Sequence, residues 1–326
     1  MSTATTVPET YELEGDDALR TLRRTGWGQL ARDSLRRFRA ADGTSHTRAL
    51  AYQVTLTLLP AMIAAVGLAT VLHQGHARQV LTQAVTRVAP GPAGDLFTQA
   101  FRQGARAAAG GGRAALLFGL VAALTSATFA MSQVERGANR LYGIEQDRPT
   151  LDKYRTGFLL ACSAGLLSVL ALVLIVAGSD IAKGGNLSGA VGVVWAVLRW
   201  PLSIALVVAA FALLFKAAPN RRQPAASWLA VGSGAAVLLW LVFTGLLAVY
   251  LGASHTFGRT YGPLTGMIAV LAWTWLTSLA LYLGLALAAQ LEAVRAGAPG
   301  PVSGERANPI GPDRVQARRR GTAALG

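Results

Sequence analysis

Apolar and polar positions alternate in long blocks along this chain. Six apolar stretches follow one another between residues 49 and 289, and each approaches the roughly 20 residues that a helix needs to cross a bilayer. Their predicted limits are 49–72, 114–131, 156–178, 196–215, 228–251 and 263–289. Because six such runs are too many for one soluble core, the pattern predicts an all-α fold, a polytopic membrane helical bundle with six transmembrane helices.

The polar segments around these stretches divide the chain further. Residues 1–16 are polar and acidic, and residues 293–326 are rich in proline and arginine, so both ends are predicted to be disordered. Residues 17–47 place leucine and aromatic residues at helical spacing among arginines, which predicts a cytoplasmic amphipathic helix in the headgroup plane. A solvated helix is the alternative, and Gly26 is a point where the helix can divide. The six-span membrane domain takes residues 48–292.

The loop between the first two spans is the longest on its side of the membrane. Residues 80–88 and 96–101 each repeat apolar positions at helical spacing, and a Pro-Gly-Pro segment separates them. This pattern predicts an extracytoplasmic helical hairpin that rests on the outer leaflet or caps the bundle.

The basic residues are unevenly divided between the two sides of the predicted spans. Of the 30 lysines and arginines, 22 lie in the two terminal segments and in the loops after the second and fourth spans. Since positively charged loops stay in the cytoplasm, both termini are predicted to be cytoplasmic. The formal net charge of +14 indicates contact with anionic membrane lipids rather than nucleic acid, because the basic residues flank membrane spans.

Residues that perform hydrolysis or hold metals do not cluster in this sequence. Its one cysteine, Cys162, falls inside the third apolar stretch, and no phosphate-binding loop, HExxH or GxSxG motif is present. Two histidines, at positions 73 and 76, lack the third ligand that zinc needs. Four acids lie among basic partners in one loop, a pattern typical of salt bridges: Glu135, Glu145, Asp147 and Asp152. We therefore expect no enzyme activity, no metal and no cofactor.

Polar residues inside the apolar stretches are more informative, since lipid makes them unfavourable. Gln53 precedes the helix-kinking Pro60 in the first span, and Ser126 lies among hydroxyl residues at the end of the second. Two interpretations stay open: these groups bond neighbouring helices, or they line a path for a lipid or other amphiphile. Arg199 has similar alternatives, snorkelling beside Trp200 or binding an anionic headgroup.

Four short blocks stand in an order and spacing that resemble a known family. They are Ala49-Leu50-Ala51-Tyr52 leading to Pro60, Asn139-Arg140-Leu141-Tyr142-Gly143 with Arg148-Pro149, Lys216-Ala217-Ala218-Pro219-Asn220, and Tyr261-Gly262-Pro263-Leu264 followed by Trp273 and Gly284. Across residues 30–292 the chain resembles the YihY/BrkB family of bacterial inner-membrane proteins, once mislabelled as ribonuclease BN. With the polar span residues, these blocks supply the candidate intramembrane or structural positions: Tyr52, Gln53, Pro60, Ser126, Asn139, Arg140, Tyr142, Pro219, Tyr261, Gly262, Trp273 and Gly284.

The chain departs from this family at one point. The family commonly continues from the glycine matching Gly284 as Gly-x-Glu-x-Asn, whereas the corresponding positions here are Ala286 and Ala288. An acidic residue that would serve a proton or ion step is therefore missing. Glu292 follows two turns later, near the predicted cytoplasmic interface, and is not assumed to replace it.

The resemblance implies a transporter or lipid-handling protein of envelope biogenesis, with membrane lipids as partners. The alternative is a non-transporting scaffold that holds envelope proteins through its basic N-terminal helix and its outer hairpin. A ribonuclease is a third class, and the lack of clustered metal ligands argues against it. The sequence does not determine the oligomeric state.

Overall fold

The computed structural model describes residues 3–10, 15–71, 112–184, 189–253, 264–298 and 300–302, together with the single positions 92, 94 and 99. Within these residues the helices are α1 Gly15–Thr25, α2 Trp27–Ala40, α3 Gly43–Val71, α4 Gly112–Leu141, α5 Thr150–Gly184, α6 Gly189–Ala217, α7 Ala226–Ala253 and α8 Thr265–Arg295. The last six are long and apolar enough to cross a membrane. The predicted all-α class with six spans is confirmed. Apart from the three single positions, the predicted outer hairpin lies outside the described residues.

The membrane helices extend beyond the apolar stretches that predicted them. α4 continues to Leu141, although its apolar stretch ends at residue 131, and α8 continues to Arg295. An apolar stretch marks only the part of a helix that lies in hydrocarbon, whereas backbone hydrogen bonding continues into polar sequence. The ends of α4 and α8 therefore carry polar side chains past the apolar layer, where those side chains meet other elements.

The six membrane helices pack as a ring in which neighbours in the chain are neighbours in space. Each helix from α3 to α7 packs along the next, and α8 returns to contact α3 and also α4. Small residues set the closest approaches. A Cβ atom at Gly284 would lie 2.4 Å from Cβ of Ala236, and one at Gly119 would lie 2.4 Å from the backbone nitrogen of Ala64. Glycine at these positions lets α7 approach α8 and α3 approach α4.

The outside of the ring is apolar. Phe118, Leu166 and Val249 have exposed fractions of 68%, 60% and 70%. Soluble monomers rarely leave large apolar side chains exposed over a wide area. This surface is therefore suited to the hydrocarbon of a bilayer, as the sequence predicted.

α1 and α2 lie across one end of the ring, which we call the terminal end: here α3, α5 and α7 begin and α4, α6 and α8 end. Gly26, with φ of 82°, separates α1 from α2, so the helix predicted over residues 17–47 is divided there. Leu30 and Phe38 of α2 are buried, and α2 packs on α8. The apolar face of α2 therefore contacts protein rather than headgroups. Periodicity identified this face, but it could not identify what covers it.

Residues 3–10 form an extended segment against the terminal end, which we call the N-terminal strap. Its backbone nitrogens at Thr3, Thr5 and Val7 donate to the oxygens of Ala40, Pro301 and Tyr142, at 3.0, 3.1 and 3.1 Å. Ala4 also forms an isolated antiparallel bridge with Val302. The predicted disorder of the two ends stays a prediction, while residues 3–10 and 300–302 make backbone bonds to distant segments, which composition does not register. Residues 303–326 lie outside the described residues.

Candidate functional site at the terminal end

Arg37 lies on the buried face of α2, enclosed at the terminal end with no exposed surface (0%). Its Nε donates to Oε1 of Gln290 on α8 at 2.8 Å. Its Nη1 donates to the backbone oxygens of Thr5 at 2.8 Å and Leu141 at 3.1 Å. Burial lowers the pKa of Arg37 to about 10, which leaves it protonated at neutral pH. One guanidinium thus connects α2 to the strap, α4 and α8.

Arg221, in the loop between α6 and α7, forms a buried ion pair with Glu292 on α8. Nη2 of Arg221 lies 2.7 Å from Oε1 of Glu292, and the two side chains are 3% and 0% exposed. Arg221 also donates to the strap oxygens of Val7 at 3.0 Å and Pro8 at 2.9 Å, and the Thr10 hydroxyl donates to the same oxygen of Glu292. A buried ion pair depends on such additional hydrogen bonds, because both charges have lost water.

Tyr142 lies between these two arginines. The guanidinium carbon of Arg221 stands 4.7 Å from the centre of its ring, within the range of a cation–π interaction. The phenol is fully buried, and this burial raises the pKa of Tyr142 well above its usual value, so the hydroxyl stays neutral. We call Arg37, Tyr142, Arg221, Gln290 and Glu292 the strap network.

A second polar network joins the two loops of the terminal end. Asn139 donates from Nδ2 to Oδ1 of Asp147 at 3.0 Å and accepts the backbone N–H of Asn220 at Oδ1 at 2.7 Å. Arg148 forms an ion pair with the buried Glu135, with Nη1 3.2 Å from Oε2. Arg148 also donates to the backbone oxygens that end α6: Ala217, Ala218 and Pro219, at 3.2, 2.8 and 2.8 Å. This capping fixes the end of α6 against the end of α4.

Asp147 forms ion pairs with two basic residues that flank the same loop. Nζ of Lys153 lies 3.2 Å from its Oδ2, and Nε of Arg136 lies 3.6 Å from it. Partial burial alone would raise the pKa of Asp147, but the hydrogen bonds from Asn139 and Lys153 and the nearby positive charges outweigh it and hold the pKa below its ordinary value. The prediction that the acids of this loop form salt bridges is confirmed for Glu135 and Asp147.

The sequence-predicted positions separate into two groups. Asn139, Arg140, Tyr142 and Pro219 meet at the terminal end, where Arg140 donates to the oxygens of Ile144 and Glu145 at 2.9 and 2.7 Å. Tyr261 and Gly262 lie outside the described residues. The remaining predicted positions lie along the spans: Tyr52, Gln53, Pro60, Ser126, Trp273 and Gly284.

Gln53 and its neighbours make contacts typical of helix packing. Nε2 of Gln53 lies 3.4 Å from the backbone oxygen of Ser126, between α3 and α4. The hydroxyls of Thr55 and Thr274 lie 2.9 Å apart, between α3 and α8. Tyr52, in contrast, is 61% exposed. A binding path near Gln53 stays a prediction, while the contacts seen connect helices.

The two alanines that depart from the family pattern are buried at helix contacts. Ala286 has no exposed surface and Ala288 has 1%. A Cβ atom added at Gly232 on α7 would lie 2.6 Å from Cβ of Ala288. A side chain larger than alanine at position 288 would push α7 away from α8, so the small residue agrees with this packing.

The candidate positions predicted from the sequence did not include four charged residues of the terminal end: Arg37, Arg148, Arg221 and Glu292. Local patterns could not pair them, because Arg37 and Gln290 are 253 positions apart and Arg221 and Glu292 are 71 apart. One usable signal existed. Arg37 shares the helical face of Leu30 and Phe38, where an arginine among buried positions requires a partner.

Within the part of the chain that the structure describes, no three residues among His, Cys, Asp and Glu come close enough to hold a metal ion. His73, His76 and His255 lie outside that part. What the described residues form is a buried network of guanidinium, carboxylate, amide and phenol groups. Such a network binds and orients polar groups, and it contains no nucleophile paired with a base.

The fold and this network define a six-span helical membrane protein with a buried ionic site at one end. The family model described as Virulence factor BrkB matches residues 34–308. The chain therefore belongs to the BrkB family, which confirms the resemblance read from the four sequence blocks.

Two relatives agree with this assignment. YfkH of Bacillus subtilis (strain 168), whose name calls it ribonuclease-like, is 27% identical over 252 residues, which cover 76% of this chain and 90% of that protein. A UPF0761 membrane protein of Chromohalobacter salexigens is 27% identical over 270 residues, 80% of this chain and 62% of the relative. No solved structure matches the chain.

Proposed function

We propose that this protein is a transporter or lipid-handling protein of the bacterial plasma membrane. The buried pair of Arg221 and Glu292 is the observation that carries the proposal. Taking two charges out of water is unfavourable, and such buried ionisable groups cluster at sites where a protein binds ions, headgroups or substrates. Replacing a buried ion pair by apolar residues of similar volume is often neutral or stabilising, so a contribution to stability alone does not explain why the pair is present.

The surface of the terminal end supports a location beside lipid headgroups. Leu19 on α1 and Trp27 at the start of α2 are 48% and 59% exposed, and Arg20, Arg23 and Arg24 also lie on α1. A basic helix with exposed aromatic and aliphatic side chains is attracted to an anionic leaflet. An amphiphile with an anionic headgroup is therefore the substrate class that we propose.

The terminal end faces the cytoplasm in this proposal, because most of the basic residues lie there. A reporter enzyme that works only in the cytoplasm, fused after Leu325, should be active. A reporter that works only outside the cytoplasm should be inactive at that position, and activity there would reverse the topology.

Two adjacent arginines allow a matched test of the proposed function. In proteoliposomes with a fluorescent anionic lipid, Arg221→Gln should reduce lipid movement at least about tenfold, since a buried charged hydrogen bond contributes more than 1.4 kcal/mol. Arg222→Gln makes the same chemical change at an exposed neighbour and should behave as the unmodified protein. Equal rates for both variants, at equal insertion, would reject the proposal.

A scaffold is the second candidate, and the exposed basic and apolar surface of α1 favours it. A scaffold would hold a protein partner without moving lipid, so lipid movement by the purified protein separates the two candidates. We also propose that the protein has no ribonuclease activity. Purified protein with Mg²⁺, Mn²⁺ or Zn²⁺ should leave precursor tRNA intact, and metal-dependent cleavage lost on changing His73 and His76 would contradict this.

A further inference from the structure

The N-terminal strap supplies oxygen atoms to the two buried arginines of the strap network. Thr5 offers its backbone oxygen to Arg37, and Val7 and Pro8 offer theirs to Arg221. A strap carboxylate is also present, since Oε1 of Glu9 accepts the backbone N–H of Arg222 at 3.2 Å. The strap thus occupies guanidinium donors with its carbonyl oxygens, and a neighbouring backbone N–H with one carboxylate.

The network beneath the strap retains an unused hydrogen-bond donor. Nη2 of Arg37 is buried without a hydrogen-bond partner among the described residues. The Arg37 side chain is 0% exposed, so bulk solvent does not compensate this N–H group. Buried polar atoms without partners are unfavourable and indicate a position where another molecule binds or water is held.

We propose that Arg37 and Arg221 form a phosphate-binding site that the N-terminal strap covers and competes for. Guanidinium groups bind phosphate oxygens through two parallel hydrogen bonds, which is stronger than bonding to neutral carbonyl oxygens. The two arginines outnumber the single Glu292, so the uncovered network keeps a net positive charge. The ligand is a phosphate group, carried by a lipid headgroup or free in solution.

The strap is held in a way that permits its release. Apart from the bond of Glu9, its contacts are hydrogen bonds of backbone and hydroxyl groups, including those from the two arginines, and Ala4 and Val7 are its two buried apolar side chains in residues 3–10. The strap buries little apolar area, so a phosphate group that takes over the arginines can compensate for its displacement. The observed affinity for phosphate should then be reduced by the fraction of molecules in which the strap is bound.

The bridge between Ala4 and Val302 allows the strap to be locked reversibly. Directly opposed antiparallel residues have Cα atoms about 4.5–5.5 Å apart, which a disulfide spans without distortion. Ala4→Cys and Val302→Cys are introduced together with Cys162→Ala, so that the new pair is the only pair of thiols. Oxidation should lock the strap over the site, and dithiothreitol should release the lock in the same molecules.

Binding is measured on this full-length protein in detergent with two probes, inorganic phosphate by calorimetry and phosphatidylglycerol by native mass spectrometry. The reduced protein should bind one of them at least about tenfold more tightly than the oxidised protein, the change expected from losing access to one charged hydrogen bond. Deletion of residues 2–10 should tighten binding further. The single-cysteine variants, which cannot form the bond, should not respond to oxidation.

The two probes distinguish the source of the phosphate group. If reduction strengthens the binding of phosphatidylglycerol alone, the ligand is a lipid headgroup. If reduction strengthens the binding of inorganic phosphate, the ligand is a soluble phosphate. Arg37→Gln and Arg221→Gln should remove the response to reduction, whereas Arg222→Gln should retain it. Equal binding by the oxidised and reduced proteins would overturn the proposal, and this comparison does not depend on the folding of any arginine variant.

This inference deepens the proposed lipid-handling function and rests on it for its physiological meaning. The outcomes nevertheless differ. If phosphate binding depends on the strap but no lipid moves in proteoliposomes, the proposed phosphate site is supported and the proposed transport is rejected. Lipid movement that persists unchanged in the oxidised protein would retain transport and reject the strap.

Discussion

The terminal end and the membrane-embedded ring are built from different interactions. At the terminal end, charged side chains such as Arg37, Arg148 and Arg221 bond to elements far away in the chain. Within the ring, hydroxyls mostly bond the preceding turn of their own helix, as Ser278 does with Thr274, and glycines set the distances between helices. The helices of the ring are positioned by close packing, whereas the elements of the terminal end are positioned by specific polar pairs.

This difference separates two uses of polar residues in a membrane protein. A hydroxyl that donates to the backbone of its own helix has its hydrogen bond wherever that helix lies. Its presence therefore carries little information about function. A buried guanidinium with a carboxylate partner is satisfied only in one arrangement of several elements. Changes to the buried ion pairs of the terminal end should therefore have larger and more specific effects than polar changes in the ring.

Arg148 should give the largest effect on stability. Arg148→Gln leaves the carboxylate of Glu135, which is 1% exposed, without its ionic partner and leaves three carbonyls at the end of α6 uncapped. We expect the free energy of unfolding to fall by about 3–5 kcal/mol. Thermal unfolding in detergent measures it. Arg136→Gln is the control, because that side chain is 51% exposed and its ion pair contributes about 1 kcal/mol or less.

Glycine packing in the ring should give the next largest effect. Gly284→Ala would place a Cβ atom 2.4 Å from Ala236 and 2.7 Å from the oxygen of Gly232, which forces α7 and α8 apart. We expect a loss of about 1–3 kcal/mol, from overpacking. Gly234→Ala, on α7 with no atom within 4 Å of the new Cβ, should instead be neutral or stabilise by up to about 1 kcal/mol. Equal stability of the two variants would contradict the close contact.

Gln53 should have a small effect on stability. Its amide lies 3.4 Å from the oxygen of Ser126, a long contact, and hydrogen bonds between membrane helices contribute about 0.6 kcal/mol on average. Gln53→Leu should change the free energy of unfolding by less than about 1 kcal/mol, measured by the same thermal unfolding. A loss as large as that of Arg148→Gln would place a specific polar pair inside the ring.

Asp147 should give the smallest effect, visible as a change with pH. Its pKa is lowered in the folded state, so its stabilising contribution is complete above the unfolded pKa of about 3.9 and is lost as pH falls through the folded pKa. The stability difference between the unmodified protein and Asp147→Asn should therefore be constant from pH 7 to about 5 and shrink below pH 4. A difference that instead grows on acidification would contradict the assigned contacts.

Sequence patterns predicted the ring better than the terminal end, for physical reasons. The length of an apolar stretch is enough to predict a spanning helix, so all six spans could be predicted. The predicted ends differ from the observed ones where helices continue into polar sequence. Asn139, Tyr142 and Pro219, which come from two of the four family blocks, meet at one end of the structure. The strap and the pairing of Arg221 with Glu292 depend on contacts between distant segments, and no local pattern in residues 3–10 signals them.

The central claim is that the functional polar groups lie at the terminal end rather than inside the ring. Movement of a fluorescent anionic lipid in proteoliposomes, compared for Arg221→Gln and Gln53→Leu at equal insertion, tests it most directly. The account predicts that Arg221→Gln loses at least about nine tenths of the rate, the loss expected from one buried charged hydrogen bond, while Gln53→Leu retains the rate of the unmodified protein. A rate abolished by Gln53→Leu and unchanged by Arg221→Gln would contradict the account.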